Sequence, residues 1–300
     1  MNVMNLFSAM PGAVAQGLIW GIMAIGIYIT FRILDIADLT VDGTLGTGGA
    51  VCIMMMLAGN NVYVSILVAT LAGMLAGLVT GIFHTFMGIP AILAGILTQL
   101  GLYSVNLKIM GKANQAINVD KFNLLVSLRY IKNVAIYKNT ILVVAVAIVI
   151  VIAILYWFFG TELGCALRAT GCNPNMSRAQ GINTDASKIL GLMISNGLVA
   201  LAGSLLCQYQ GFADINMGRG AIVIGLAAVI IGEAIFGKIF KNFAAKLLAV
   251  AFGSIIYYLV VQTVIWMGID TDLLKLLSAL VVAVFLAIPH WKTTILAKKK

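Results

Sequence analysis

Nine apolar stretches succeed one another along this chain, at about residues 12–31, 44–58, 62–83, 90–110, 139–159, 186–207, 219–236, 246–267 and 272–289. A hydrocarbon layer about 30 Å thick is crossed by about 20 apolar residues in a helix, so the pattern demands a polytopic membrane protein. Composition agrees, with 62% hydrophobic and 10% charged residues against about 45–50% and about 25% in a soluble domain. The runs are too long and too uniformly apolar for barrel strands, which leaves helices as the way to satisfy the backbone in lipid. We therefore expect an all-α fold of about nine transmembrane segments, forming one membrane domain over residues 1–300. Two stretches, 44–58 and 219–236, are short for a span, and each follows a polar, glycine-bearing segment. The first charged side chain is Arg32, so a signal peptide with a basic head is not expected and the first stretch should stay as an anchor.

The net charge of +9 comes from 19 Lys and Arg against 10 Asp and Glu. These cations are spread over short loops, as at the cytosolic ends of membrane proteins, so nucleic acid is not an expected partner. Counting them sets an orientation. With the C-terminus in the cytosol and the N-terminus outside, the inner side holds Arg32, Arg168, Arg178, Lys188, Lys238, Lys241, Lys246, Lys292, Lys298, Lys299 and Lys300. The outer side holds Lys112, Lys121, Arg129, Lys132, Lys138 and Arg219. The outer cations concentrate in one long loop, 111–138. It reads either as a solvated loop or as a docking surface for an external partner with an acidic rim, through Lys112, Lys121, Arg129, Lys132 and Arg219. The four cysteines show no C-x-x-C spacing, and His84 and His290 lack a second histidine at ligand spacing, so neither a disulfide framework nor a metal site is expected.

The most informative stretch is 160–190, G-T-E-L-G-C-A-L-R-A-T-G-C-N-P-N-M-S-R-A-Q-G-I-N-T-D-A-S-K-I-L. Asn173 suits an N-cap, Pro174 a first helical position, and Gly181 the left-handed residue beyond a helix end. The helix so bounded, 174–180, is too short to stand alone in water and needs a partner surface. The run L-G-C-A-L-R-A-T-G-C-N-P-N-M-S-R-A-Q-G-I-N resembles the coupling segment of ATP-binding-cassette importer permeases of the branched-chain amino acid and ribose type. D-L-T-V-D-G at 38–43, G-L-V-A-L-A-G-S-L-L at 197–206 and G-R-G-A-I-V-I-G-L-A-A-V-I-I-G-E at 218–233 are similar to further blocks of that family, so the resemblance spans about 14–288. D-L-T-V-D-G and N-L-K-I-M-G-K resemble a subgroup linked with aromatic amino acids, tryptophan or tyrosine.

The resemblance implies a permease subunit in the plasma or inner membrane, paired with a second permease copy as a homodimer, surrounded by membrane lipid. A cytosolic ATPase would sit beneath the loop 160–188, and an external solute-binding protein would deliver the solute. No G-x-x-x-x-G-K-[ST] phosphate cradle is present in the chain, so ATP and Mg are expected on the partner ATPase and no cofactor on this chain. The coupling residues carried over by position are Arg168, Asn173, Pro174, Ser177, Arg178, Ala179, Gly181 and Ile182. Ser177, Ala179 and Ile182 are expected to enter a groove on the ATPase, with Arg168 and Arg178 bridging to acidic residues there.

Pathway candidates come from the breaks and from polar groups inside spans. Asp38, Thr40, Asp42 and Gly43 precede the short stretch 44–58; if this segment dips into the membrane it must line a cavity or be buried in protein, and Asp42 would cap a half-helix. The segment 213–219, with Asp214, precedes the other short stretch. Paired interrupted segments in two halves point to an inverted internal repeat, with 36–43 at the inner face and 213–219 at the outer. Gln99, Asn106, Asn196, Gln208 and Glu233 complete the set. Asn196, among small residues, suits helix packing equally well. A carboxylate in a span costs several kcal/mol unless paired or wetted, so Glu233 either pairs with a lysine at the same end, Lys238 being the expected partner, or faces the cytosolic vestibule. No catalytic residues are expected, since no nucleophile, base or metal constellation stands inside the spans. An ion-gradient-driven secondary transporter is the alternative, although such a carrier has little use for a capped two-turn cytosolic helix.

Overall fold

The computed structural model describes residues 3–119, 121–122, 124–131 and 139–268, with scattered positions between 273 and 287. The stretch 272–289, the tail lysines, Asp120, Lys132, Lys138 and His290 lie wholly or largely outside the described residues. Within them, six helices are long and apolar enough to cross a membrane: α1 (Val3–Tyr28, continued by a π-helical turn, Ile29–Ile33), α3 (Val62–Thr85), α4 (Ala91–Met110), α5 (Thr140–Phe158), α8 (Thr184–Gln210) and α10 (Phe243–Trp266). Two shorter apolar helices are α2 (Val41–Leu57) and α9 (Ala221–Phe236). Two further helices, α6 (Glu162–Cys172) and α7 (Pro174–Ala179), fill much of the loop before α8. The fold is not purely helical: β1 (Asn114–Ala116) and β2 (Phe212–Asp214) pair antiparallel, with Gln115 opposite Ala213.

Helix starts were written in asparagines. Asn61, Asn139, Asn173 and Asn183 each accept backbone N–H groups of the first turn of α3, α5, α7 and α8, satisfying donors that have no intrahelical partner. Gly111 and Gly211, at φ +69° and +80°, end α4 and α8 in the left-handed conformation.

α1 and α8 form the interior, α1 packing on α8, α9 and α10, and α8 on α2 and α3 as well. The core gathers Ile19, Ile22, Met23, Ile25, Tyr257 and neighbours from α5, α8 and α9. α8 touches α2 backbone to backbone. A Cβ on Gly203 would strike the carbonyl of Leu45, and one on Gly48 the carbonyl of Ala200, which is how small residues let helices associate where no hydrophobic force drives them together. α3, α4 and α5 are the outer helices, with leucines such as Leu67, Leu71 and Leu75 on an exposed apolar face suited to lipid.

The two ends of the bundle differ. At one end β1–β2 and the described residues between 117 and 131 are pinned down, with the Gln208 side chain accepting the Leu125 N–H at 3.1 Å. At the other end lie α6, α7 and the start of α8, and here Arg32 and Glu233 form an ion pair at 2.9 Å. The partner of Glu233 is thus a residue 201 positions away in sequence and not Lys238, because the end of α9 packs beside the π-helical turn that carries Arg32.

The junction of the two short helices as a candidate functional site

After Arg32 the chain leaves the helix, passes Asp35 in the left-handed region (φ +56°) and turns back through residues 34–40 before α2 begins at Val41. Such irregular backbone is tolerated at membrane depth only where protein buries it. Asp38 organises the burial. It is 2% exposed, its Oδ1 accepts the Thr40 N–H at 2.9 Å and its Oδ2 accepts the Asn196 Nδ2 at 2.7 Å. The Asn196 amide also donates to the Leu192 carbonyl at 3.0 Å and accepts the Thr44 hydroxyl at 2.7 Å. A second chain of hydroxyls runs from Thr40 to Thr80 at 2.7 Å and from Thr80 to Thr98 at 2.9 Å, joining α3 and α4 to the break. All six side chains are buried. Asp38, Thr40 and Asn196, read as pathway candidates, are held by this chain's own groups.

Asp42 stands one turn further on and is handled differently. It lies in the first turn of α2, yet its carboxylate accepts the backbone N–H groups of Gly220 at 2.9 Å and Ile222 at 3.0 Å. It therefore caps α9, the other short helix, and not its own. A Cβ on Gly218 would collide with the Asp42 carbonyl, so the two backbones are in contact. The expectation that 36–43 and 213–219 occupy opposite faces is overturned: the two breaks meet, and α2 and α9 run from the meeting point toward opposite ends of the bundle. The physical reason is the set of donors left unsatisfied at the start of α9, which a carboxylate completes and the helix dipole favours.

Beside this junction is a cavity of about 230 Å³, lined by Asp42, Gln99, Tyr103, Asn106, Ile215 and Arg219 among others. Asn106 is 1% exposed and its Oδ1 accepts no hydrogen bond among the described residues, while its Nδ2 is 3.5 Å from the Gly43 carbonyl. Arg219, placed by sequence on an external docking surface, is exposed and also lines this cavity, because the turn 215–220 folds back toward α2 and α4. Of the other pathway candidates, Gln99 and Gly43 line the cavity. Gln208 instead holds Leu125 and approaches the Cys52 thiol at 3.5 Å. Asp214 fixes its own turn through the Asn216 N–H at 2.7 Å and accepts from Asn114 at 3.3 Å. Sequence reasoning passed over Thr80, Thr98 and Tyr103; hydroxyls within apolar spans were the available signal, and it does not say which of them face each other.

At the far end, α7 has the expected cap and a left-handed Gly181 at φ +82°. Its side chains do not all point as expected. Ser177 is 3% exposed and its hydroxyl donates to the Asn173 carbonyl at 3.0 Å, so it faces this protein and not a partner's groove. Arg178 donates to Thr184 at 2.7 Å and to Asp185 at 3.1 Å, tying α7 to the first turn of α8. Arg168 lies over the rings of Phe243, at 4.5 Å, and Phe159, at 5.2 Å, a cation–π contact that fastens α6 to α5 and α10. Ala179 is exposed and Ile182 half-buried in a groove between α6 and α8. Met176, passed over in sequence, is 63% exposed. Lys112, Lys121 and Arg129 are exposed at the opposite end.

Residues 10–288 match the family described as branched-chain amino acid transport system, permease component. The chain is 41% identical over 281 residues to a tyrosine transport system permease protein of Clostridioides difficile, covering 93% of this chain and 91% of that one. It is 37% identical over 277 residues to the uncharacterized protein RP368 of Rickettsia prowazekii, covering 92% and 95%. Among solved structures, a chain of PsaBC from Streptococcus pneumoniae in complex with Fab aligns with a TM-score of 0.54 at 15% identity, over 96% of this chain and 95% of that one; at that identity the likeness speaks for the fold alone.

Proposed function

The chain belongs to the branched-chain amino acid transport system permease family, and from that premise we propose that it is the membrane subunit of an ATP-binding-cassette importer for an aromatic amino acid. The relative named for tyrosine transport supports the choice of solute. In this reading α7 lies in the cytosol, the segment 111–131 faces outside, and ATP with Mg is bound by a separate ATPase. An external solute-binding protein docks near Lys112, Lys121 and Arg129, and a second permease copy completes the pathway, with α2 and α9 as the broken helices of an inverted repeat.

One observation carries the proposal: the exposed helix α7 is mechanically continuous with both helix breaks. Arg178 fastens α7 to α8, and Asn196, about 18 Å along α8 at 1.5 Å per residue, holds Asp38 and Thr44 at the start of α2. On the other side of the loop, a Cβ on Gly171 at the end of α6 would strike the Ile33 carbonyl in the π-helical turn, whose Arg32 holds Glu233 on α9. π-Turns inside helices concentrate at functional sites. A push on α6–α7 is thereby delivered to α2 and α9 together.

Of the exposed residues of α7, Pro174, Asn175, Met176, Arg178 and Ala179, those not tied to α8, chiefly Asn175, Met176 and Ala179, are the surface offered to the ATPase. Met176→Asp, which disturbs nothing buried, is expected to abolish co-purification of the ATPase with tagged permease from native membranes while the permease still inserts. Undiminished recovery of an ATPase near one copy per permease would sink this assignment of α7. Solute uptake that persists without ATP under an ion gradient would instead make the chain a secondary transporter.

A further inference from the structure

The cavity at the junction holds two opposite charges that do not neutralise each other. Asp42 and Arg219 both line it, yet no ion pair joins them among the described residues. Asp42 is spent only in part. Each of its oxygens accepts one backbone N–H and retains a further lone pair. The Arg219 side chain is exposed and forms no hydrogen bond or ion pair with the described residues. The same lining includes Asn106, 1% exposed, whose Oδ1 is a buried acceptor without a donor among the described residues. Buried polar atoms are satisfied in the great majority of cases, and an orphan calls for an explanation such as a bound group. The start of α9 also bears on the cavity through Asp42, and half-helix N-termini at membrane depth favour an anionic group.

We infer that this cavity is a subsite for a single zwitterionic α-amino acid. The solute carboxylate is received by Arg219, its ammonium by Asn106 Oδ1 and Asp42, and its side chain by the ring of Tyr103 beside Gln99. The chemistry matches group by group: a cation for the carboxylate, a neutral acceptor plus a carboxylate for the ammonium, and a ring edge or face for an aromatic side chain. The volume of about 230 Å³ is room for about eight waters at about 30 Å³ each, which suits one amino acid. The contrast with the Asp38 cluster strengthens the assignment, because there every polar group finds its partner within the chain. The inference rests on the amino-acid reading of the transporter and adds that the membrane chain itself holds the solute.

The test uses the full-length permease alone in lipid nanodiscs, with L-tyrosine and L-leucine as probes measured by equilibrium binding, and tyramine, which lacks the carboxylate, as competitor. Whole-cell tyrosine uptake with and without the chain runs in parallel. Saturable binding that falls at least tenfold in Arg219→Gln and in Asn106→Leu, with tyramine competing at least tenfold more weakly than tyrosine in the wild type, supports the subsite. If uptake depends on the chain but both variants bind as the wild type does, or the wild type binds neither probe, the subsite is overturned and the transport reading stands. If tyrosine uptake does not depend on the chain, the aromatic reading falls. In that case Arg219-sensitive binding of L-leucine would retain the subsite, and absence of any binding would remove it too.

Discussion

Asp38 and Asp42 are four residues apart at the same helix break and live in opposite circumstances. Asp38 is fully enclosed and receives donors from its own chain, and the amide that holds it is itself held by Thr44 and Leu192. Asp42 is half-exposed, caps the helix of another segment, and looks onto a cavity whose arginine and amide oxygen find no partner among the described residues. A polar network that closes on itself specifies one packing and leaves nothing for a ligand. A network left open at membrane depth is costly unless something completes it. In the proposed transporter, the first is the joint that transmits motion and the second the subsite that takes the solute.

The sharpest way to break the comparison is to delete one amide on each side. Asn196→Leu removes a short donor to a buried carboxylate, and the permease is expected to lose about 3 kcal/mol, read as a lower midpoint of thermal unfolding in detergent. An unchanged midpoint would mean that Asp38 finds another partner and that the cluster is not a joint. Asn106→Leu deletes an acceptor that nothing satisfies, so stability should stay within about 1 kcal/mol of wild type while solute uptake collapses. A destabilisation as large as that of Asn196→Leu would place Asn106 with the closed network. The smallest effect is expected at Glu233→Gln. The Arg32 and Glu233 side chains are 55% and 28% exposed, and exposed pairs contribute about 0–1 kcal/mol, so the unfolding midpoint should hardly move. A measurable fall in uptake from that variant would show that the pair transmits motion to α9 and does not merely stabilise it.

The legible part of the site was the part encoded locally. Asn173, Pro174 and Gly181 bound a short helix through their own backbone preferences, and the structure has that helix at Pro174–Ala179. The illegible part was the direction of its side chains. Ser177 and Arg178 are neighbours in sequence, but one turns in to the Asn173 carbonyl and the other reaches Thr184 and Asp185, which depends on where α8 begins relative to α7. Arg168 likewise reads as a free cation until Phe243, 75 positions later, is brought over it.

Hydropathy by itself determined that this chain is a multi-pass helical membrane protein, because lipid leaves the backbone no other way to satisfy its hydrogen bonds. It also marked 44–58 and 219–236 as unusual, because their length falls short of a bilayer, and the structure begins the two short helices, α2 and α9, close to those positions. What only the tertiary structure decided is that the two breaks touch. Nothing in D-L-T-V-D-G says that its second aspartate will cap a helix 178 residues away. That pairing arises because the first N–H groups of α9 lack partners within their own helix and the Asp42 carboxylate, carried there by the packing of α2 on α8, accepts two of them. The same packing leaves Arg219 and Asn106 facing one cavity with partners still to find.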